Sequence, residues 1–450
     1  MRILLVSNGY PPTAYGGVEI YTHGLATALA AEDHEVSVFC RESDHQLPDY
    51  EVIDGEQHGI TILRVVNDFK SIRNFEQTYR DERIEALFDG VLDRVKPDLV
   101  HFNHLIALSV GLPAVATRHN MPHLTTLHDF WYLCQRVHLQ DWRARRCPGP
   151  HQGGDCYRCV VTSTLWIKLR RRLLRWGRNV LGSRDRRRIR DWGWLPSSTS
   201  VIGLTARPQD FHLRWERFSG ALRLSRQVLA PSEFVRRIFY QNGFRDLAIE
   251  VLPLGIRIPP SAGLSPEFPE RITFGFIGTL APAKGAHILI KAFRRVQSAH
   301  VRLAIYGRQD ADPAYTRLLT KLAKGDERIT FKGPFPIQDR DEVYRRLDAL
   351  VIPSIAQETF SMVAHEGLVS GTPIIASRAG ALAETVTEGV NGFLVPPGDA
   401  DRLASCIAAL AAEPNRLAAL DVPGPLPSLT VGEHVDRLLK RYREISNVHE

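Results

Sequence analysis

The sequence predicts an α/β protein with two doubly wound parallel sheets, each in its own domain. Three observations carry this expectation. Short apolar runs alternate with helical stretches from the first residues onward. The alternation restarts after residue 226 and continues for a second domain's length. The chain has 450 residues, long enough for two domains of about 200 residues each.

Taken in order, strand-like runs occur at Ile3–Ser7, Glu35–Cys40, Ile60–Val66, Leu99–Asn103 and Leu124–His128, with helical patterns at Ile20–Ala31 and Phe75–Val95. The pattern resumes at Gln227–Pro231 and Ile249–Leu252. Further strand-like runs are Ile272–Ile277, Val301–Ile305, Ile329–Lys332, Ala349–Pro353, Pro373–Ala376 and Phe393–Val395. Helices fit His287–Gln297, Ala314–Leu322, Asp341–Leu347 and Asp401–Ala412. Strands alternating with helices imply a parallel sheet covered on both faces. The expected division is an N-terminal Rossmann-like domain at 1–225, with an insertion at about 130–200, and a second such domain at 226–425. Residues 413–430 read as a loop, and 426–450 as a tail holding a final helix, Val431 to Ile445. Ligands of such folds bind beyond the C-terminal ends of the strands, so a cleft between two facing lobes is the expected site.

Composition narrows the class. The apolar fraction, 44%, is that of an ordinary globular protein. No apolar run is long enough to span a membrane. The first six residues lack the pattern of a signal peptide, and the expected location is the cytoplasm. The formal charge is +7, but between Leu165 and Arg190 eleven Lys or Arg stand against one acid, Asp185. The rest of the chain is therefore mildly acidic. Within that stretch, Leu165 to Trp176 interleaves apolar residues and arginines at helical spacing. Such a helix suits an anionic membrane surface, to which the chain would attach peripherally. A partly solvated helix packed on the domain and an RNA-binding patch are the alternatives.

The most informative segment is Gln357-Glu-Thr-Phe-Ser-Met-Val-Ala-His-Glu-Gly367. It follows the strand-like run ending at Pro353 and leads into a helix that stops at Gly371-Thr-Pro373. Ser361 is the expected N-cap. Glu358 then lies in the loop and Glu366 inside the helix, with the free N–H groups of Phe360, Ser361 and Met362 between them as an anion site. Two acceptors flanking an anion hole suit a ligand with phosphates and hydroxyls. An exposed helix with two chance glutamates is the bland reading, and it leaves the surrounding Gly and Pro positions unexplained. Gly278-Thr-Leu-Ala-Pro-Ala-Lys-Gly285 follows the strand-like run at Ile272–Ile277. Its glycine permits close backbone approach, and Lys284 can reach a phosphate. The alternative for Lys284 is a solvated turn lysine.

The string Glu358-x7-Glu366, Gly371-Thr-Pro-Ile-Ile-Ala376, Gly380, Glu384 and Asn391-Gly-Phe-Leu-Val-Pro-Pro-Gly398 resembles the donor-site signature of retaining glycosyltransferases of family 4. That resemblance implies the GT-B architecture, with two Rossmann-like domains facing across a cleft and the first on the acceptor side. A tail helix of that architecture often packs back on the first domain. The resemblance further implies that Glu366 accepts hydrogen bonds from the ribose and that Glu358 faces the transferred sugar. The amides of Phe360, Ser361 and Met362 would hold the diphosphate, and Lys284 its departing charge. Gly278 opens the phosphate loop, and Phe335, in Gly333-Pro-Phe335, would border the base. Thr279 stands where the family usually places an arginine, and Arg308 is the candidate to compensate.

In the first domain, Pro11-Pro-Thr-Ala-Tyr-Gly-Gly-Val-Glu19 is not Gly-x-Gly-x-x-Gly, which speaks against NAD. Gly16-Gly17 resembles the family's glycine loop near the donor phosphates; a plain strand-to-helix turn is the alternative. His128 matches a family histidine that contacts the transferred sugar, and Asp129 would orient it or meet the acceptor. A satisfied structural His-Asp pair is the alternative. His101 and His104 read as rim or core histidines. Cys134, Cys147, Cys156 and Cys159 would supply four thiolates for a tetrahedral structural zinc, with reduced thiols or a disulfide as alternatives. Catalysis is expected to require no cofactor. The implied reaction moves a sugar, with retention, from a nucleotide sugar to a glycan or lipid-linked glycan, in polysaccharide or glycolipid synthesis. The competing readings are a GT-B nucleotide-sugar epimerase or hydrolase and a non-catalytic scaffold binding nucleic acid through the basic patch. Nucleic acid is not the expected partner.

Overall fold

The computed structural model describes residues 1–141, 143, 145–161, 206–258, 271–422 and 428–446. The basic stretch from Leu165 to Arg190 lies outside the described residues. The chain divides into two compact units.

The first unit runs through β1 (Arg2–Ser7), α1 (Gly17–Ala31), β2 (Glu35–Glu42), β3 (Val52–Gln57), β4 (Ile60–Val66) and α2 (Glu82–Val95). It continues with β5 (Leu99–Phe102), α3 (Leu112–Arg118), β6 (His123–Thr126), α4 (Pro208–Leu224), β7 (Gln227–Ala230), α5 (Glu233–Gln241) and β8 (Ile249–Val251). The strand order is β3-β4-β2-β1-β5-β6-β7-β8, with only β3 antiparallel to its neighbour among these strands. Ile3, Leu4, Leu5 and Val6 of β1 are fully buried, as a central parallel strand covered on both faces requires. At the edge, β3 alternates between exposed and half-buried, so its sequence carries no apolar signal and was not foreseen. The helix expected from Phe75 begins only at Glu82, where the Asp81 side chain accepts from the Arg83 N–H as N-cap.

The division into domains differs from the expected one. The strands expected to open the second domain, β7 and β8, pair in parallel with β6 and each other. They extend the first sheet, and the change of unit falls after Gly255, within the two-residue strand β9 (Gly255–Ile256).

The second unit comprises β10 (Ile272–Ile277), α6 (Ala286–Phe293), β11 (Val301–Tyr306), α7 (Pro313–Ala323), β12 (Ile329–Gly333), α8 (Arg340–Arg345) and β13 (Ala349–Ile352). Then come α9 (Met362–Val369), β14 (Ile374–Ser377), α10 (Leu382–Thr385), β15 (Gly392–Val395), α11 (Ala400–Ala412) and α12 (Asn415–Ala418). Its strand order is β12-β11-β10-β13-β14-β15, all parallel. In both sheets the chain steps outward on one side of the first strand and then returns to its other side. That reversal defines a topological switch point between β1 and β5 in the first unit and between β10 and β13 in the second.

The last helix, α13 (Val431–Ser446), belongs to the first unit. Val435, Leu438, Leu439, Tyr442 and Ile445 form its buried face, and each large side chain so covered stabilises the unit by about 1.5–3 kcal/mol. The Tyr442 hydroxyl lies 2.7 Å from His101 Nδ1. Arg441 pairs with Glu250, and Arg226 donates to the Ile445 carbonyl.

Candidate active site

In the second unit the site grows from two loops at the switch point, after β10 and after β13. Gly285 has φ +75°, and a Cβ there would sit 1.9 Å from the Pro353 carbonyl oxygen. Only glycine permits both that conformation and that approach. The loops are also tied by the Ile355 N–H donating to the Ala283 carbonyl at 2.8 Å. Lys284 is thereby aimed at Glu358, whose Oε1 and Oε2 lie 2.8 and 3.0 Å from its Nζ. Glu358 is buried and also accepts from the Ser354 hydroxyl at 2.5 Å. Its backbone is pinned in turn: the Ala381 N–H donates to the Glu358 carbonyl at 2.8 Å. Gly380, with φ +65°, leaves no room for a Cβ beside that carbonyl.

Ser361 precedes α9 with φ 68° and ψ 75°, and its side chain makes no cap hydrogen bond. The expected cap is therefore absent, because an N-cap serine works from the extended region of backbone space. A left-handed non-glycine residue costs roughly 1–2 kcal/mol, offset here by the packing of its neighbours. Phe360 stacks on His365 with centroids 4.0 Å apart and an interplanar angle of 9°. Burial lowers the His365 pKa to about 4, so the ring is neutral. The amides that open α9, at Met362 and after, are those for which a helix offers no internal acceptor.

Glu366 is held from two sides. The Tyr344 hydroxyl donates to its Oε2 at 2.8 Å, and Arg340 donates to Oε1 at 3.3 Å. Burial raises the Glu366 pKa, with Arg340 opposing it. Arg340 is itself buried, so the charges neutralise one another in a protected setting. Neither Arg340 nor Tyr344 was foreseen as part of the site. They sit one turn apart on a helix whose sequence looks like any charged surface helix, and only the packing reveals them.

The other second-unit candidates are arranged less closely. Gly278 has φ +152° and adjoins Gly307, where a Cβ would lie 2.2 Å from the Gly278 carbonyl oxygen. Thr279 is exposed. Arg308 forms a two-pronged pair with Asp310, at 3.1 and 2.8 Å. Phe335 packs edge-on against Tyr306 with centroids 5.6 Å apart.

In the first unit, Gly16 caps α1, and a Cβ there would come 2.2 Å from Glu19 Oε2. Glu19 folds back at that spot to accept from Asn8 Nδ2 at 2.8 Å. Gly17 opens the helix with space around it. His128 is buried, with Nε2 3.3 Å from Asn103 Oδ1 and its ring 4.7 Å from that of Tyr21. Burial pulls its pKa down to about 3, so it is neutral. Asp129 accepts from His104 Nε2 at 2.8 Å and from the Trp131 N–H at 2.7 Å. Burial pushes its pKa up, but His104 and the Trp131 N–H prevail and hold it below the usual range. His101 is a core residue, bonded to Tyr442 and to the Thr126 hydroxyl, each at 2.7 Å.

The cysteines are arranged otherwise than a zinc site requires. Among the described residues, no group of three or more His, Cys, Asp or Glu is gathered to hold a metal ion. Cys134, Cys147 and Cys156 are free thiols. Cys147 Sγ turns to the Gly149 carbonyl at 3.5 Å, and burial raises the Cys156 thiol to about 12, which keeps it protonated. Among the described residues no helix is long and apolar enough to cross a membrane.

Two doubly wound units, with a cation and two carboxylates at the switch point of the second, define a GT-B fold. Comparison with known proteins makes the assignment specific. Residues 15–181 match the family described as "Glycosyltransferase Family 4", and residues 271–413 match "Glycosyl transferases group 1". A D-inositol 3-phosphate glycosyltransferase of Rhodococcus erythropolis is 31% identical over 439 residues, covering 95% of this chain and 86% of the relative. One from Catenulispora acidiphila is 36% identical over 181 residues, which is 37% of this chain and 43% of that relative. The latter match thus spans less than half of the relative's length. Anabaena HepE, solved in complex with UDP and glucose, superposes with a TM-score of 0.60 at 18% identity, covering 98% of both chains. The chain belongs to glycosyltransferase family 4.

Proposed function

We propose that this enzyme is a retaining glycosyltransferase that moves a sugar from a nucleotide sugar to a glycan or lipid-linked glycan, in cell-surface polysaccharide or glycolipid assembly. The observation that carries the reading is the Lys284–Glu358 pair at the second switch point, beside the Glu366–Arg340–Tyr344 cluster. In this reading Glu366 accepts from the ribose hydroxyls, and the amides of Phe360, Ser361 and Met362 receive the diphosphate. Phe335 borders the base. Gly16, Gly17, Gly278 and Thr279 line the phosphates, and Arg308 turns from Asp310 towards them. HepE, a fold relative, was solved with UDP and glucose, which supports a nucleotide donor.

The bond from the anomeric carbon to the departing phosphate oxygen breaks while the acceptor oxygen bonds from the same face. The acceptor's proton passes to the leaving phosphate. Negative charge grows on that phosphate, and Lys284 is the cation assigned to meet it. Losing one such stabilising donor typically costs about 3 kcal/mol of barrier. His128 and Asp129 of the first unit meet the sugar and the acceptor. No catalytic metal or cofactor enters the scheme. The basic stretch Leu165–Trp176 favours an acceptor presented at an anionic membrane face.

A second reading of the acceptor has one specific support. One relative that aligns along most of its length is named for inositol 3-phosphate, so a small phosphorylated polyol belongs in the assay. The first test is thermal shift against UDP-, GDP- and ADP-sugars, beside Glu366→Gln. A donor at a hundred times its Kd stabilises the fold by about 2.7 kcal/mol. One nucleotide series should shift the wild type and fail with the variant; no shift from well-folded protein would sink the donor reading. Transfer to polyol phosphate or to glycan lipid then separates the two acceptors, and the product's anomeric configuration by NMR decides retention.

A further inference from the structure

His104 lies directly after β5 and Asp129 shortly after β6, at the C-terminal ends of adjacent parallel strands. The first-unit switch point, between β1 and β5, lies beside them. His104 is buried and its two ring nitrogens have different neighbours. The Ile106 backbone N–H donates to Nδ1 at 3.0 Å. An N–H donor obliges Nδ1 to be the bare nitrogen, so the single proton of the neutral ring sits on Nε2. That proton points at Asp129 Oδ2, 2.8 Å away. The other carboxylate oxygen, Oδ1, takes the Trp131 N–H at 2.7 Å. The Trp131 ring stands beside the imidazole, with centroids 5.6 Å apart. Two donors thus fix the plane of the Asp129 carboxylate, while 26% of its side chain stays exposed. The exposed lone pairs have one orientation only.

We infer that His104 is a positioning residue: as the Nε2–H tautomer it holds Asp129 so that its free lone pair accepts the hydroxyl of the incoming acceptor. This rests on the transferase reading above. The hydroxyl docks by donating its one O–H to Asp129, which aligns its oxygen for attack. As the new bond forms, that O–H swings to the leaving phosphate and its proton is transferred there, so Asp129 ends the cycle ionised. A misplacement of about 1 Å in such an arrangement costs roughly hundredfold in rate.

The groups facing Asp129 are His104, His128, His138 and Tyr132. His104 lowers the Asp129 pKa most, with the Trp131 N–H and His138 adding to it. Loss of His104 removes the largest of these influences, and the acid limb of activity must move to higher pH.

The test compares wild type, His104→Leu and His104→Gln, whose amide can still offer an N–H near the Nε2 position. His104→Leu should lower kcat roughly hundredfold at neutral pH with the donor KM little changed, and its acid limb should shift upward. His104→Gln should recover most of the loss. Equal losses in both variants, or an unmoved acid limb, would reduce His104 to a structural role and overturn the inference. Nitrogen NMR of the wild type gives an independent reading, since an Nδ1–H tautomer would also overturn it. If the wild type binds nucleotide sugars and transfers, yet the variants fail these criteria, only the positioning role falls. If the wild type binds no donor, the transferase reading falls first and takes this role with it.

Discussion

The two units differ in the polar side chains they bury around their switch points. In the first, histidines are kept neutral and bonded to hydroxyls and carbonyls: His434 donates from Nδ1 to the Pro253 carbonyl at 2.8 Å and accepts at Nε2 from Tyr21, also at 2.8 Å. His101 and His128 follow the same pattern. In the second, buried carboxylates face cations, Glu366 with Arg340 and Glu358 with Lys284. A neutral pair loses little when desolvated, whereas a buried ion is tolerable only with its partner in place. The first unit is therefore exposed to proton concentration, and the second to loss of a single charge.

The largest expected effect breaks one charge of the second unit. Glu366→Ala strips the buried Arg340 of one of its two carboxylate partners, leaving Asp341, and should cost about 3 kcal/mol of stability, read as a fall in Tm. The double variant Arg340→Met with Glu366→Leu should recover most of that; equal Tm values for single and double would show the pair to be inert. Acidification probes the other unit. The pKa of His128 is lowered to about 3 and that of His434 to about 4. Their unfolded values lie near 6.5, so their contribution is full above that pH and is lost as pH falls towards the folded values. At pH 5 each has given up about 2 kcal/mol.

The second unit holds His287 and His365 of the same sign, but also Glu366 and Asp348, which burial pushes upward. Those two take up protons more readily when folded, so acid works in their favour. Hydrogen exchange between pH 7 and 5 should therefore open peptides of the first unit before those of the second, and the reverse order would break the comparison. Lys284→Ala comes next. Its own side chain is 42% exposed, but its loss takes the cation from buried Glu358, so Tm should fall less than for Glu366→Ala while kcat/KM falls about hundredfold, the loss of one charge-stabilising donor. The smallest effect is His434→Phe, which orphans the Tyr21 hydroxyl and should cost about 1–3 kcal/mol. A cost matching that of Glu366→Ala would erase the distinction between the units.

The second unit's site was legible to a degree that the first unit's was not. Glycines at 278, 285, 371 and 380 are demanded by left-handed backbone or close approach. That demand shows in the sequence because no other residue meets it. Glu358 and Glu366 could likewise be placed by the punctuation around them. Arg340 and Tyr344 were hidden, since each reaches Glu366 through packing across elements distant in sequence, and Ser354 because a loop serine four residues before Glu358 carries no spacing signal. His104 looked like a core residue, and its role rests on a backbone N–H two residues away that no spacing pattern records. The boundary at residue 226 failed for a related reason: β7 has the same apolar run whichever sheet it joins. Cys134 to Cys159 misled in the other direction, because a chelating spacing says nothing about where the thiols point.

The seating of α13 carries a consequence for how the chain is made. Synthesis delivers the strands of the first unit early, but the partners of His101, Glu250 and Arg226 arrive only with residues 441–445. Until then the second unit, whose described residues are continuous in sequence from 271 to 422, can finish folding while the first waits with an uncovered flank. The first unit can thus be completed only after the whole of the second has been made.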